Sequence, residues 1–126
     1  MNTPKELKYS ASHEWIRYED ETTAYVGITD YAQSELGDIV YVNIPYEGDA
    51  VKLGESFTDL ESVKAVAEIY SPFTGEIVEV NERLETEPEA INNSPYDAWI
   101  VKVGNISETE ALLSADEYDA LCNAED

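Results

Sequence analysis

The sequence predicts a mainly β fold, a flattened sandwich or barrel with short flanking helices, on three observations. β-Branched and aromatic runs recur at strand length, turn residues and prolines separate them, and the C-terminal segment changes to helical capping signals. At 126 residues the chain is expected to form one domain over residues 1–126, because two separate cores would each be too small to offset backbone ordering.

The elements follow in order. Leu7 to Tyr18 reads as mainly strand around Trp15 and Ile16, and Thr23-Ala24-Tyr25-Val26-Gly27-Ile28 as a second strand. Asp30 can cap a short helix through Leu36, stopped by Gly37. Ile39 to Ile44 follows as a strand with Val40, Val42 and Ile44 on one face, and Pro45 ends it. Gly48-Asp49 and Gly54-Glu55 flank a short segment with Val51 and Leu53, which suits strands joined by tight turns. Phe57–Leu60, Ala65–Tyr70, Glu76–Val80 and Trp99–Val103 each have strand length. Ser107-Glu108-Thr109-Glu110 and Ser114-Ala115-Asp116-Glu117 are two capping boxes, predicting two C-terminal helices that turn Leu112, Leu113, Tyr118 and Leu121 inward. A weak symmetry centres on Lys64, with Gly54 before it and Gly75 after it, each followed by Glu.

Charge narrows the function. Twenty-eight acidic residues against seven basic ones leave a net charge of −21, which repels phosphate backbones and anionic lipid head groups. Nucleic acid and membrane surfaces are therefore not expected partners. The acidity serves either solubility or steering toward basic docking surfaces, and charge alone does not separate the two. Cys122 is the only cysteine, so no intramolecular disulfide or Cys-x-x-Cys site is possible. The opening residues Met1 to Glu6 carry neither a signal-peptide core nor an Arg-rich transit segment, and a cytoplasmic monomer is expected. His13 has no cysteine or histidine partners in a metal-ligand spacing, so a packed or hydrogen-bonded role is expected and no metal site.

Glu61-Ser62-Val63-Lys64-Ala65 places one of the few basic residues between two strand-like runs. No Asn-Gly or Asp-Gly stands there, so turn chemistry does not mark a hairpin. On the residues alone, Lys64 reads as a solvated surface lysine.

The motif resembles the lipoylation site of the glycine cleavage H-protein family. With it come Leu7-Lys8-Tyr9, Ser12-His13-Glu14-Trp15, Val26-Gly27-Ile28-Thr29, Leu36-Gly37-Asp38-Ile39-Val40, Ser71-Pro72-Phe73-Thr74-Gly75-Glu76, Val78-Glu79-Val80-Asn81, Pro95-Tyr96 and Trp99-Ile100-Val101-Lys102-Val103. These landmarks stand in family order over nearly the whole chain. Two departures are visible: only Asp97 and Ala98 separate Tyr96 from Trp99, and Val66-Ala67-Glu68 replaces smaller or hydroxylated residues followed by Asp.

The resemblance implies a lipoyl-domain fold of the barrel-sandwich hybrid type, with lipoate joined by an amide to Lys64. Glu61, Ser62, Val63 and Ala65 would form the recognition motif. It also implies a bacterial-type carrier without catalysis of its own. That carrier takes the aminomethyl group of glycine from a pyridoxal-phosphate glycine decarboxylase (P protein) to a tetrahydrofolate-dependent aminomethyltransferase (T protein). Dihydrolipoamide dehydrogenase (L protein) reoxidises the arm, and a lipoate ligase or octanoyltransferase attaches it. In the family the loaded arm folds into a cleft, whose matching residues here are Ser12, Glu14, Tyr31 and Glu68. Plainer roles stay open: Ser12 as a turn residue, Glu14 as a solvated strand residue, Tyr31 in core packing, Glu68 as a surface acid. Two other functions also stay open, a relay donating lipoate to 2-oxoacid dehydrogenase acyltransferases and an unmodified acidic adaptor.

Overall fold

A computed structural model describes residues 1–125. Those residues form nine strands and four helices in two antiparallel sheets. The strands are β1 (Lys8–Tyr9), β2 (Glu14–Asp20), β3 (Thr23–Ile28), β4 (Ile39–Val42), β5 (Ala50–Val51), β6 (Ser56–Ser62), β7 (Val66–Tyr70), β8 (Phe73–Val80) and β9 (Val101–Thr109). The helices are α1 (Asp30–Leu36), α2 (Arg83–Thr86), α3 (Ala90–Asn93) and α4 (Ala115–Glu125). One sheet has the order β1-β2-β3-β9-β8-β5, the other β4-β6-β7.

The main core lies where inward residues of the two sheets meet. Ile16, Val26, Ile77 and Val103 come from the six-stranded sheet; Ile39, Val42, Leu60 and Ile69 come from the other. Burying each such side chain contributes about 1.5–3 kcal/mol, which offsets part of the ordering entropy. A second cluster joins Leu7, Tyr9 and Trp15 to Ala115, Tyr118 and Cys122. There the Tyr9 and Tyr118 rings stack with centroids 4.8 Å apart. Strand β2 is thus covered on both faces near its start, Ile16 toward the sandwich and Trp15 toward α4.

Several expectations need correction. Thr29, not Asp30, caps α1: its hydroxyl accepts from the Ala32 N–H at 3.1 Å, while Asp30 is the first helical residue. Gly37 ends the helix as expected, at φ 78°. Val40 does not share a face with Val42, because the β4–β6 register shifts between Ile39 and Tyr41. This bulge turns Ile39 and Val42 inward and leaves Val40 52% exposed. The strand ends at Val42, before Ile44 and Pro45.

Of the two C-terminal capping boxes, only the second opens a helix. Ser114 and Glu117 cap reciprocally: the Ser114 N–H donates to Glu117 Oε1 at 2.8 Å and the Glu117 N–H to Ser114 Oγ at 3.2 Å. Ser107-Glu108-Thr109 instead extends β9, where Glu108 and Thr109 pair with Thr74 and Phe73. Tertiary pairing overrides the local signal there.

Gly54, ten residues before Lys64, and Gly75, eleven after it, do different work. Gly54 turns the chain at φ 81°, whereas a Cβ at Gly75 would stand 2.6 Å from the Gly104 carbonyl oxygen. The shortened loop after Tyr96 is held by the Asp97 and Ala98 N–H groups, both donating to the Ser94 carbonyl at 3.0 Å. Among the described residues no helix is long and apolar enough to cross a membrane.

Candidate functional site

Strands β6 and β7 pair antiparallel from Ser56↔Tyr70 to Glu61↔Val66, which places Val63-Lys64-Ala65 at a hairpin tip. Neither Val63 nor Lys64 has positive φ, so the turn has no need of Asn-Gly. Ser62 supplies the turn chemistry. Its hydroxyl accepts from the N–H groups of Lys64 at 3.3 Å and Ala65 at 3.1 Å, while its own N–H donates to the Ala65 carbonyl at 2.8 Å. A serine that satisfies two orphan backbone donors holds this tip without a glycine.

The tip is also tied to the α1–β4 connection, because the Val63 N–H donates to the Asp38 carbonyl at 3.0 Å. Lys64 is exposed, and among the described residues its ammonium has no ion-pair partner. Around it stand apolar and acidic groups. Val63 is 66% exposed, and Tyr41, Glu61 and Val66 form a cross-strand row on the outer face. Presenting its amine on a backbone fixed from both sides, Lys64 suits acylation by an incoming enzyme.

On the same β7 strand, Ala67, Glu68 and Ile69 form one wall of a cleft of about 320 Å³. The facing walls are Ser12, His13 and Glu14 from the β1–β2 connection and the start of β2, and Tyr31, Ala32, Glu35 and Leu36 from α1. Ile28 and Glu125 complete it. Ser12, Glu14, Tyr31 and Glu68, scattered through the sequence, are therefore brought together here. Glu61, Ser62, Val63 and Ala65 lie apart from them, at the hairpin.

Glu14 is 1% exposed. The hydroxyls of Ser10 and Ser12 each donate to its Oε1 at 2.6 Å, and the Tyr70 N–H donates to Oε2 at 3.3 Å. Burial pushes the carboxyl up to about 7, outweighing these hydrogen bonds, which pull it down; the nearby Glu110 charge adds to the rise. Its acidity is thus poised at neutral pH, where a cation entering the cleft would draw the proton off. Glu68 is exposed and accepts from the Tyr70 hydroxyl at 3.1 Å. The Tyr31 ring lies 5.0 Å from the His13 ring.

Sequence reasoning missed Ser10, Glu35 and Glu125. Ser10 had a readable signal, a second hydroxyl four residues before the acid. Glu35 and Glu125 had none, because only packing of α1 and α4 brings them to the cleft. His13 proves hydrogen-bonded, as expected: its Nδ1 lies 2.7 Å from the Tyr118 hydroxyl and its Nε2 lies 3.1 Å from Glu125 Oε2.

Comparison with known proteins agrees across the chain. Residues 7–125 match the glycine cleavage H-protein family. The glycine cleavage system H protein of Lachnoclostridium phytofermentans is 52% identical over 125 residues, covering 99% of this chain and 98% of that protein. The corresponding protein of Geobacillus kaustophilus is 54% identical over 126 residues, covering 98% of each. A crystal structure of a glycine cleavage system H protein from Mycobacterium marinum superposes with a TM-score of 0.86 at 36% identity, over 93% of this chain and 96% of that one.

Proposed function

The chain belongs to the glycine cleavage H-protein family, and from that premise we propose that it carries lipoate on Lys64 and shuttles the aminomethyl unit of glycine between enzymes. The observation that carries this reading is an exposed lysine, without an ion-pair partner among the described residues, at the tip of a hairpin fixed by Ser62.

The residues present suit the group. An amide at Nζ forfeits no ion pair among the described residues, and Val63 and Ala65 leave the amine unobstructed. When bound, the lipoyl group supplies a cyclic disulfide that accepts a one-carbon amine unit and is regenerated by oxidation of the dithiol. The protein's own residues bind and shield. Glu68 on β7 is four residues beyond Lys64, at most roughly 14 Å of extended chain, so the cleft is within range of a long acylated side chain. Ile28, Leu36, Ala67 and Ile69 offer an apolar lining, and Glu14 offers a buried carboxyl to a cationic end. Such a site excludes water from a hydrolytically fragile amine.

Catalytic groups reside on the partners in this reading, because the demanding chemistry belongs to their cofactors. The partners are the glycine decarboxylase, the aminomethyltransferase and dihydrolipoamide dehydrogenase, with a lipoate ligase or octanoyltransferase attaching the group. Tethering raises the local concentration of the reactive end at each docked enzyme, so weak contacts suffice. The reading keeps the chain in the cytoplasm as a monomer. Intact-protein mass after expression with a lipoate ligase and lipoate tests it. The wild type gains the lipoyl increment and Lys64→Arg gains none, since a guanidinium offers no comparable nucleophilic amine. An increment that survives in Lys64→Arg overturns the assignment.

A further inference from the structure

The cleft has a wall that the hairpin and α1 do not supply: the end of α4, whose Glu125 stands at its edge. The Glu125 side chain is exposed there. Its Oε2 lies 3.1 Å from His13 Nε2. A carboxylate can only accept, so Nε2 carries a hydrogen in this arrangement. On the other side of the ring, Nδ1 lies 2.7 Å from the Tyr118 hydroxyl. That hydroxyl is in turn 2.7 Å from Thr29 Oγ1, which caps α1 by accepting from the Ala32 N–H.

One chain of polar contacts therefore runs from Glu125 through His13 and Tyr118 to Thr29. It joins α4, the segment before β2 and α1, the three elements that face β7 across the cleft. His13 sits at its centre with φ 74°, a conformation unusual for a side-chain-bearing residue. Its backbone is held there by two bonds: its N–H donates to the Ser10 carbonyl at 3.2 Å, and its carbonyl accepts from the Thr29 N–H at 3.1 Å. From this backbone the ring contacts α4 through Tyr118 and Glu125 and also lines the cleft.

We propose that His13 is a positioning residue for the carried group, latching the last turn of α4 through Glu125 so that this turn closes the end of the cleft. The inference rests on the carrier reading above and adds to it the fourth wall and the contact that holds it. His13 itself need not touch the arm. Its ring fixes Glu125, and Glu125 narrows the opening through which water reaches the bound end.

Two readouts test the latch, with His13→Asn, Glu125→Ala, Glu125→Gln and the His13→Asn/Glu125→Ala double variant. Asparagine tolerates the positive φ, which keeps the turn folded while removing the ring. In the unlipoylated protein, amide hydrogen exchange at Leu121 to Asn123 should rise about two- to fivefold in His13→Asn and Glu125→Ala, the range of a partly exposed ion pair. Glu125→Gln should stay close to wild type, because its amide oxygen can still accept from Nε2. In lipoylated protein loaded with the aminomethyl unit, spontaneous loss of that unit should quicken by a similar factor in both single variants. The double variant should be no faster than either, since both remove one contact.

Unchanged exchange in His13→Asn overturns the latch, as does strict additivity in the double variant. Wild-type loading with equal loss rates in every variant overturns the sheltering role alone. A lipoylated wild type that takes up no aminomethyl unit overturns the carrier reading together with that role.

Discussion

Glu14 Oε2 accepts a hydrogen bond from the Tyr70 N–H at 3.3 Å, joining the first residue of β2 in the six-stranded sheet to the last residue of β7 in the three-stranded one. The contact ties the two sheets together at a residue that lines the cleft, and it puts a titratable group between them. The carboxyl responds to two opposed influences, burial favouring its protonated form and three hydrogen-bond donors favouring its charge.

That balance makes stability depend on pH in a defined direction. The Glu14 carboxyl rises from its ordinary value of 4.5 to about 7 on folding. Between these values the folded state binds more protons than the unfolded state, so stability falls as pH rises. The contribution is fully present below 4.5 and lost as pH passes through 7, a span of about 3 kcal/mol. Glu14→Gln cannot titrate. The stability difference between wild type and Glu14→Gln, from urea unfolding at a series of pH values, should therefore shift by that amount against the wild type across this window. A difference that is constant with pH would show that burial does not perturb the group.

The same carboxyl is expected to retain a loaded arm. A protonated amine in the cleft would pair with Glu14 and restore its charge, a charge-assisted contact of about 1.5–3 kcal/mol. Glu14→Ala should then lose the aminomethyl group roughly ten- to a hundredfold faster. The check is spontaneous loss from purified, loaded protein at equal lipoylation, with dihydrolipoamide dehydrogenase activity toward the unloaded arm as the control for docking. Equal loss rates would assign Glu14 to structure alone.

Gly27 tests packing against Trp15 in the second cluster. It pairs with Trp15 across β2 and β3, and a Cβ there would lie 2.6 Å from the indole. The indole cannot easily yield, because its Nε1–H donates to the Pro95 carbonyl at 3.0 Å and Trp15 is fully buried. Gly27→Ala should cost about 1–3 kcal/mol in urea unfolding, the range for overpacking a core. A cost below about 0.5 kcal/mol, ordinary for a surface change, would mean that the indole has room to move.

Acidity is expected to act on encounter. If the net charge of −21 steers the protein to basic surfaces, association with the decarboxylase or aminomethyltransferase should slow as salt rises, because exposed charges are screened beyond roughly 8 Å at physiological ionic strength. Stopped-flow association rates between low and physiological salt measure this. Rates independent of salt would leave solubility as the role of the charge.

Much of the architecture was legible along the chain because short strands and tight turns are local. The strand pattern matches Thr23–Ile28 to the residue, Gly37 stops α1, and Ser114 with Glu117 forms the capping box that their spacing announces. The errors also share a cause. Ser107 to Glu110 carries the same local signal as Ser114 to Glu117, yet β8 offers it a partner strand and so it pairs. Val40 alternates correctly with Val42, yet the bulge opposite Glu61 and Ser62 turns it outward. Strand identity depends on neighbours that are distant in sequence.

The site divides along the same line. By itself the sequence determined the Lys64 motif, its family and the candidates Ser12, Glu14, Tyr31 and Glu68, because a recognition motif is contiguous and its landmarks keep their order. Only the tertiary structure decided that Ser62 makes the turn, that Glu14 is dry enough to titrate near neutrality, and that Glu125 reaches His13 from the far end of the chain. Burial and hydrogen-bond partners are properties of what packs against a residue, and for these groups the packing elements lie up to a whole chain length away.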